Sequence, residues 1–361
     1  MMSEMLEKAR KYEREAGSRI KSCERPVFHL TPWTGWMNDP NGFSIYKGRV
    51  HQFFQYYPYK TEWGPMHWGH AVSDDFVKWE YLPAAIAPDE EYDNFGCFSG
   101  SAIEMADGKQ LLIYTGVYAD DKEGDEQTIR QTQCIAIGDG RDYEKLPENP
   151  VIDAKSLPAG WSAVDFRDPK IWWDKRDDSY YMVAGNRTDD GSGAILLFRS
   201  KDAGTWTFVT VLDRSENEYG KMWECPDFFE IDGNFFLLTS PQFMHARGME
   251  FHNGNGNIVI SGNYDRESHA FERKNIHAID YGLDFYATQT LETEDGRRIM
   301  TAWMQSWESS KIVPDGHQWF GQMILPRELS VKNGRLYQEP VREIKNYRKD
   351  FFKSRKMIHN K

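Results

Sequence analysis

The chain has no run of apolar residues long enough to cross a bilayer, and residues 1–17, rich in Lys, Arg and Glu, lack the apolar segment of a secretory leader. A cytosolic protein with no membrane association is the expectation. Cysteine is scarce. The four present, Cys23, Cys97, Cys134 and Cys225, show no C-x-x-C spacing, which argues against a disulfide framework or a zinc knuckle. Positive charge is short as well: 44 Lys and Arg stand against 56 Asp and Glu, a formal charge of −12 that excludes a nucleic-acid backbone as partner. Helical periodicity is confined to the N-terminus. What the chain has in quantity is aromatic residues, 14% of 361 including 13 Trp. Most of these fill a core, but aromatic faces are also what sugar rings pack against.

The aromatics carry a period. Trp79, Tyr143, Trp206, Phe271 and Tyr337 are separated by 64, 63, 65 and 66 residues, a spacing that marks five units. Local matches support it: Trp79-Glu80-Tyr81-Leu82-Pro83 parallels Tyr143-Glu144-Lys145-Leu146-Pro147, and Ser73-x-Asp75-x-x-x-Trp79 parallels Ser200-x-Asp202-x-x-x-Trp206. Each unit contains an apolar strand after a polar or Gly-containing turn, at 50–56, 110–115, 180–184, 234–239 and 298–303. Sixty-odd residues of short strands repeated five times describe an all-β, five-bladed β-propeller with an axial funnel. The expected division is a helical extension over 1–26, the propeller over 27–344 and a basic tail over 345–361.

Three acids sit in constrained contexts: Asp39 in Trp36-Met37-Asn38-Asp39-Pro40-Asn41-Gly42, Asp168 in Phe166-Arg167-Asp168-Pro169, and Glu224 in Trp223-Glu224-Cys225-Pro226-Asp227. Glycosidic cleavage needs one carboxylate at the oxocarbenium-like centre and one carboxylic acid to protonate the leaving oxygen, so acids in contrasting surroundings suit it. Taken singly, Asp-Pro and Asn-Gly are ordinary turn residues and Asp168 is a partner for Arg167. With Ser99 and Asp284, however, all three precede a strand pair by a similar interval. They are expected on corresponding innermost strands, converging at the funnel mouth.

Together with Trp63-Gly64-Pro65-Met66-His67-Trp68-Gly69-His70-Ala71, Phe98-Ser99-Gly100-Ser101-Ala102, Asp280-Tyr281-Gly282-Leu283-Asp284-Phe285-Tyr286-Ala287 and Gly321-Gln322-Met323-Ile324-Leu325-Pro326-Arg327-Glu328-Leu329, these motifs resemble glycoside hydrolase family 32, the invertase, sucrose-6-phosphate hydrolase, inulinase and levanase family, over about 28–342. The resemblance implies a retaining mechanism with Asp39 as nucleophile, Glu224 as acid and then base, and Asp168 steadying the transition state. It also implies a small carbohydrate substrate and no cofactor or metal. Asp39 is then expected to be the ionised member, its charge held by Asn38 and backbone amides, with Glu224 desolvated beside Trp223. Arg167 offers a rigid fork for carboxylates or hydroxyls. Gln55, Trp63, Phe98, Ser99, Tyr286 and Trp303 are the candidate sugar-binding wall. Cys225 reads as a small buried residue or as one that tunes the acid. His67 and His70, with no third ligand beside them, read as structural.

Family members usually continue into a C-terminal β-sandwich, whereas this sequence stops about where the fifth blade closes, as expected of either a bare propeller or a fragment; a propeller face left bare would invite homo-oligomerisation or poor stability. Sucrose, sucrose 6-phosphate and short fructans all remain open as substrates, with Lys60, Arg247 or Lys311 as candidate phosphate ligands. Transfructosylation would use the same covalent intermediate, and a fructoside-binding propeller derived from an enzyme would keep the wall while losing an acid. Ser200-Lys201-Asp202-Ala203-Gly204-Thr205-Trp206 resembles a sialidase Asp-box, but no arginine cluster accompanies it.

Overall fold

The computed structural model describes residues 2–120 and 129–349. Its strands form five antiparallel sheets, each built in chain order from four consecutive segments apart from one two-residue strand described below. Blade 1 comprises Gly35–Tyr46, Arg49–Tyr57, His67–Ser73 and Glu80–Ile86; blade 2 Gly96–Glu104, Gln110–Ala119, Ile129–Gly138 and Tyr143–Lys145; blade 3 Trp161–Asp174, Ser179–Thr188, Gly193–Ser200 and Trp206–Arg214. Blade 4 comprises Met222–Ile231, Asn234–Gln242, Ile258–Tyr264 and Phe271–Ala278, and blade 5 Tyr286–Glu292, Arg298–Trp303, Arg327–Lys332 and Arg335–Pro340. The first strands of the five blades touch one another in a closed cycle, so they line the axis.

The expected five-bladed propeller is the fold found. Its markers share one structural place: Tyr143, Trp206 and Phe271 open the outermost strand of their blades, Trp79 directly precedes one, and Tyr337 lies within one. The Ser-x-Asp repeats are matching turns leading into those strands. Asp75 Oδ1 accepts from the backbone N–H of Val77 (3.0 Å) and Lys78 (2.9 Å), and Asp202 Oδ1 from Gly204 (2.9 Å) and Thr205 (2.7 Å). The box-like motif therefore caps a turn, as Asp side chains commonly do.

Each blade is buried on both faces, which accounts for the apolar runs of its second strand. In blade 2, Leu111 and Ile113 point into the core shared with blade 3, whereas Leu112 and Tyr114 point into the core shared with blade 1. Blade 3 repeats the division, with Met182 and Ala184 facing blade 2 and Tyr181 and Val183 facing blade 4. Further cores join blades 4 and 5 around Phe236, Leu238 and Met300, and blades 5 and 1 around Phe43, Val50, Leu291 and Ile299. Every buried aliphatic side chain in these seams contributes about 1.5–3 kcal/mol.

The ring is closed by an excursion from blade 5. Trp319–Phe320 pairs in parallel with the start of blade 1, Gly35 opposite Trp319 and Trp36 opposite Phe320, and Met323 N–H donates to Leu30 O at 2.8 Å. The helix Glu4–Gly17, capped by Ser3, buries Leu6, Ala9, Glu13 and Gly17 against the outer edge of blade 1. Arg10 Nε donates to Ala84 O and Glu13 Oε1 accepts from Ala84 N–H, each at 2.9 Å, so two helix side chains satisfy the sheet edge. Of the basic tail, the residues to Tyr347 form a short helical turn, Arg342–Tyr347, whose Tyr347 ring meets Phe28 at 6.1 Å; residues 350–361 lie outside the described part.

Gly321 adopts φ +98°, and a Cβ there would stand 2.0 Å from Met37 O. Gly321→Ala should therefore displace the closing strand and cost at least about 3 kcal/mol, measured by urea unfolding against wild type. An unchanged midpoint would show that closure does not depend on this contact.

Candidate active site

An inner strand paired on its edge and buried on its faces has no place for reactive groups unless the pleat is interrupted. All five are interrupted at the same level. Pairing jumps between Met37 and Pro40, Phe98 and Gly100, Arg167 and Lys170, Glu224 and Asp227, and Tyr286 and Gln289. At these bulges Asp168, Cys225 and Ala287 take positive φ values of 64°, 48° and 57°, the local rotation by which a bulge re-aims a side chain. Counted from the last paired residue before each jump, Met37, Phe98, Arg167, Glu224 and Tyr286 share one level, Asn38, Ser99, Asp168, Cys225 and Ala287 the next, and Asp39 lies one residue further on.

The three acids meet there. Asp39 Oδ2 accepts from Ser99 Oγ at 2.8 Å and Oδ1 from Asn38 Nδ2 at 3.1 Å, while Asn38 Oδ1 is itself held by Trp36 Nε1 at 2.8 Å. Asp168 Oδ2 accepts from the Cys225 backbone N–H at 2.9 Å, and the Cys225 thiol lies 3.5 Å from Asp39 Oδ2 and 3.6 Å from Asp168 Oδ2. Glu224 is gripped on both oxygens: Arg167 Nε donates to Oε1 at 2.9 Å and Tyr286 Oη to Oε2 at 2.5 Å. Arg167 is fixed in turn by Asp165 at 2.8 Å, which also pairs with Arg187 at 2.7 Å.

Burial is the dominant electrostatic fact. Desolvation, followed by the charge of Glu224, raises Asp39 to about 6, with the hydrogen bonds from Ser99, Asn38 and Cys225 opposing the rise. The same two causes raise Asp168 to about 7 against the pull of Arg167. The thiol of Cys225 is pushed well up by desolvation and by Asp168 and Asp39, so it sits between the carboxyls as a protonated donor.

Several expectations are corrected. Trp223 does not desolvate Glu224: strand alternation turns it to the other face, where it packs between blades 3 and 4. Asp39 lies in a bulged strand, and its donors are side chains instead of turn amides. Asp284 is exposed just before its strand, bound by Ser309 Oγ at 2.6 Å; the residue of blade 5 that reaches the cluster is Tyr286. Tyr286 presents its hydroxyl to Glu224, and Trp303, fully buried between Trp36 (6.0 Å) and Trp307 (5.3 Å), presents no ring to the cleft. Gln55 is buried with its amide on Cys97 O at 2.9 Å. Trp63 alone of the expected wall stands open, 38% exposed, with its ring 6.0 Å from Phe98 in an edge-on arrangement. His67 and His70 are occupied elsewhere, His67 by Pro65 O at 2.9 Å and His70 by His51 at 3.0 Å.

Glycosyl hydrolases family 32 N-terminal domain is the family model matched, over residues 29–340. The chain belongs to glycosyl hydrolase family 32. Among relatives within or beside this family, it is similar to the sucrose-6-phosphate hydrolase of Zymomonas mobilis, 43% identical over 353 residues covering 94% of this chain and 66% of that protein. It is also similar to the raffinose invertase of Escherichia coli, 41% identical, covering 96% of this chain and 71% of that one. Among solved structures it resembles the Bombyx mori GH32 beta-fructofuranosidase, 38% identical with a TM-score of 0.85, covering 96% of this chain and 71% of that one; a mutant of that enzyme has been solved in complex with sucrose. The chain thus spans just under two thirds of the Zymomonas relative. No helix among the described residues is long and apolar enough to cross a membrane.

Family membership makes the placement of the three carboxyls a property worth perturbing. Because the folded pKa of Asp39 is raised, its stabilising effect is present below the unfolded value of 3.8 and is lost as pH rises toward 6. Asp39→Asn should therefore leave stability unchanged near pH 3.5 and raise it by on the order of 2 kcal/mol at pH 8, measured by denaturation at both pH values. Equal effects at the two would show that Asp39 carries no ionisation cost.

Proposed function

We propose that the chain hydrolyses terminal β-D-fructofuranosyl residues with retention of configuration, acting on sucrose or sucrose 6-phosphate. The observation that carries this reading is the junction of Asp39, Asp168 and Glu224 around Cys225, with Glu224 aimed by Arg167 and Tyr286. The names of the Zymomonas and Escherichia relatives support the substrate class. In this reading a carboxylate oxygen of Asp39 bonds to the anomeric carbon of the fructosyl unit as that carbon's bond to the bridging oxygen breaks. Glu224 gives its proton to that oxygen, so the aldose leaves neutral. Water then attacks the same carbon from the opposite side, losing a proton to Glu224 as the ester to Asp39 opens, which restores both groups. Asp168 accepts hydrogen bonds from fructose hydroxyls.

Arg167 and Tyr286 suit a residue that must serve as acid and then base, since two fixed donors hold Glu224 in place when it is ionised. Trp63, exposed on the loop 58–66, offers the sugar a face. Lys60, Arg247 and Lys311 lie on loops that follow second strands, at the end of the propeller where the acids lie, which supports them as candidates for a phosphate. Lys60 is engaged with Glu62 at 2.9 Å and Arg247 with Glu218 at 3.4 Å, whereas Lys311 is exposed on the closing excursion. A phosphorylated substrate favours a cytosolic location.

Asp39→Asn and Glu224→Gln should each lower kcat about 10²–10⁴-fold with folding retained; near-normal turnover of either would remove the assignment. Proton NMR of the first product should show β-fructose ahead of mutarotation, and initial α-anomer would exclude a retaining pair. Comparison of kcat/KM for sucrose and sucrose 6-phosphate, with Asp39→Asn as blank, decides the substrate: a large preference for the ester identifies a phosphate-reading rim, and equal use identifies a general invertase.

A further inference from the structure

Two residues past the ring of acids the inner strands of blades 3 and 4 carry Lys170 and Asp227. Lys170 Nζ lies 3.1 Å from Asp227 Oδ2 and donates to Thr290 O, while the same Asp227 oxygen accepts the Thr290 backbone N–H at 2.6 Å. One ion pair therefore ties together the strand that carries Asp168, the strand that carries Glu224 and the strand that carries Tyr286. It is buried, with side-chain exposures of 12% for Lys170 and 1% for Asp227. Buried ion pairs are weak sources of stability, because desolvation offsets their attraction. This one sits where it can act on the chemistry.

We propose, on the fructosidase reading above, that Lys170 and Asp227 are positioning residues for the hydrolysis: a mutually neutralised pair that holds three site-bearing strands in register and keeps the region beneath the carboxyls free of net charge. At about 3.3 Å of rise per residue, Lys170 stands about 7 Å along the strand from Asp168, and Asp227 about as far from Cys225. The charged and titratable groups facing the pair are Asp39, Asp168, Glu224, Cys225 and Arg167 on one side. On the other are Arg298 and Glu292 of blade 5, joined at 3.0 Å, at the inner end of a cavity of about 620 Å³ that Lys170 and Asp227 also line. Burial lowers the proton affinity of Lys170, with Asp227 opposing and Arg298 adding to the fall, and burial likewise lowers that of Arg298 against the pull of Asp227 and Glu292.

The test is a charge-swap cycle on the full chain. Asp227→Asn leaves a cation beneath the carboxyls and should move both limbs of the kcat/KM profile on sucrose to lower pH by about one unit, roughly the effect of one unit charge at that separation. Lys170→Met leaves an anion and should move them up by a similar amount, and the double variant should return to the wild-type profile. A purely structural pair would give losses that track thermal stability, with limbs unmoved or moved in the same direction by both changes, and that result would overturn the proposal. If Lys170→Met does not fold, Lys170→Arg should keep the limbs in place while Asp227→Asn lowers them. The same shifts are readable by ¹³C NMR titration of the side-chain carboxyls. An inactive wild type would therefore refute the fructosidase reading while leaving the electrostatic one measurable.

Discussion

Everything in this site depends on one conflict: an inner propeller strand must stay apolar on both faces to hold its neighbours, yet it must also deliver carboxyls to the axis. The bulge resolves it. One extra residue at the same level of each inner strand releases two positions from the pleat, and the positive φ of Asp168, Cys225 and Ala287 turns those positions toward the axis. Glu224 is the last paired residue before its bulge, Asp168 the first residue within its bulge and Asp39 the second within its own, so the three acids come from successive positions of one repeated device. The flanking residues stay in the interblade cores, Trp223 between blades 3 and 4 and Phe166 between blades 2 and 3.

The second constraint is charge. Three carboxyls gathered in a buried cluster repel one another and lose hydration, and the protein answers with fixed donors: Ser99 and Asn38 for Asp39, the Cys225 amide for Asp168, Arg167 and Tyr286 for Glu224. These donors are distributed over all five blades. No single blade contains a working unit, and the chemistry belongs to the closed ring.

The five-unit period was legible because an aromatic recurs at or near the start of each outermost strand, and in the first four blades that ring packs into an interblade or blade core, whereas Tyr337 is exposed. The acids were legible because Pro, Gly and Arg neighbours are unusual inside strands. Other features were hidden for physical reasons. Counting intervals pointed to Asp284 in blade 5, but Tyr286 occupies the equivalent place, since a bulge shifts the register without altering the hydrophobic pattern. Trp303 and Trp63 read alike as sugar-facing aromatics; burial among Trp36 and Trp307 separates them, and that packing depends on an excursion from residues near 307–320. The desolvation expected of Trp223 failed because adjacent strand residues face opposite sides.

The closing strand also gives the molecule a direction in time. During synthesis, blade 1 leaves the ribosome with Phe43, Val50, Phe76 and Val77 exposed, and the side chains that cover them, Leu291, Ile299 and Val341, arrive only with the fifth blade. Trp319 and Phe320, which latch the inner strand of blade 1, arrive only shortly before the end of the fifth blade. Nascent chains therefore carry an open apolar seam until the fifth blade emerges, and the early helix Glu4–Gly17, which covers only the outer edge of blade 1, leaves that seam uncovered. Slow elongation through the fifth blade would prolong the exposure, which makes this segment the stage at which a chaperone has most to protect.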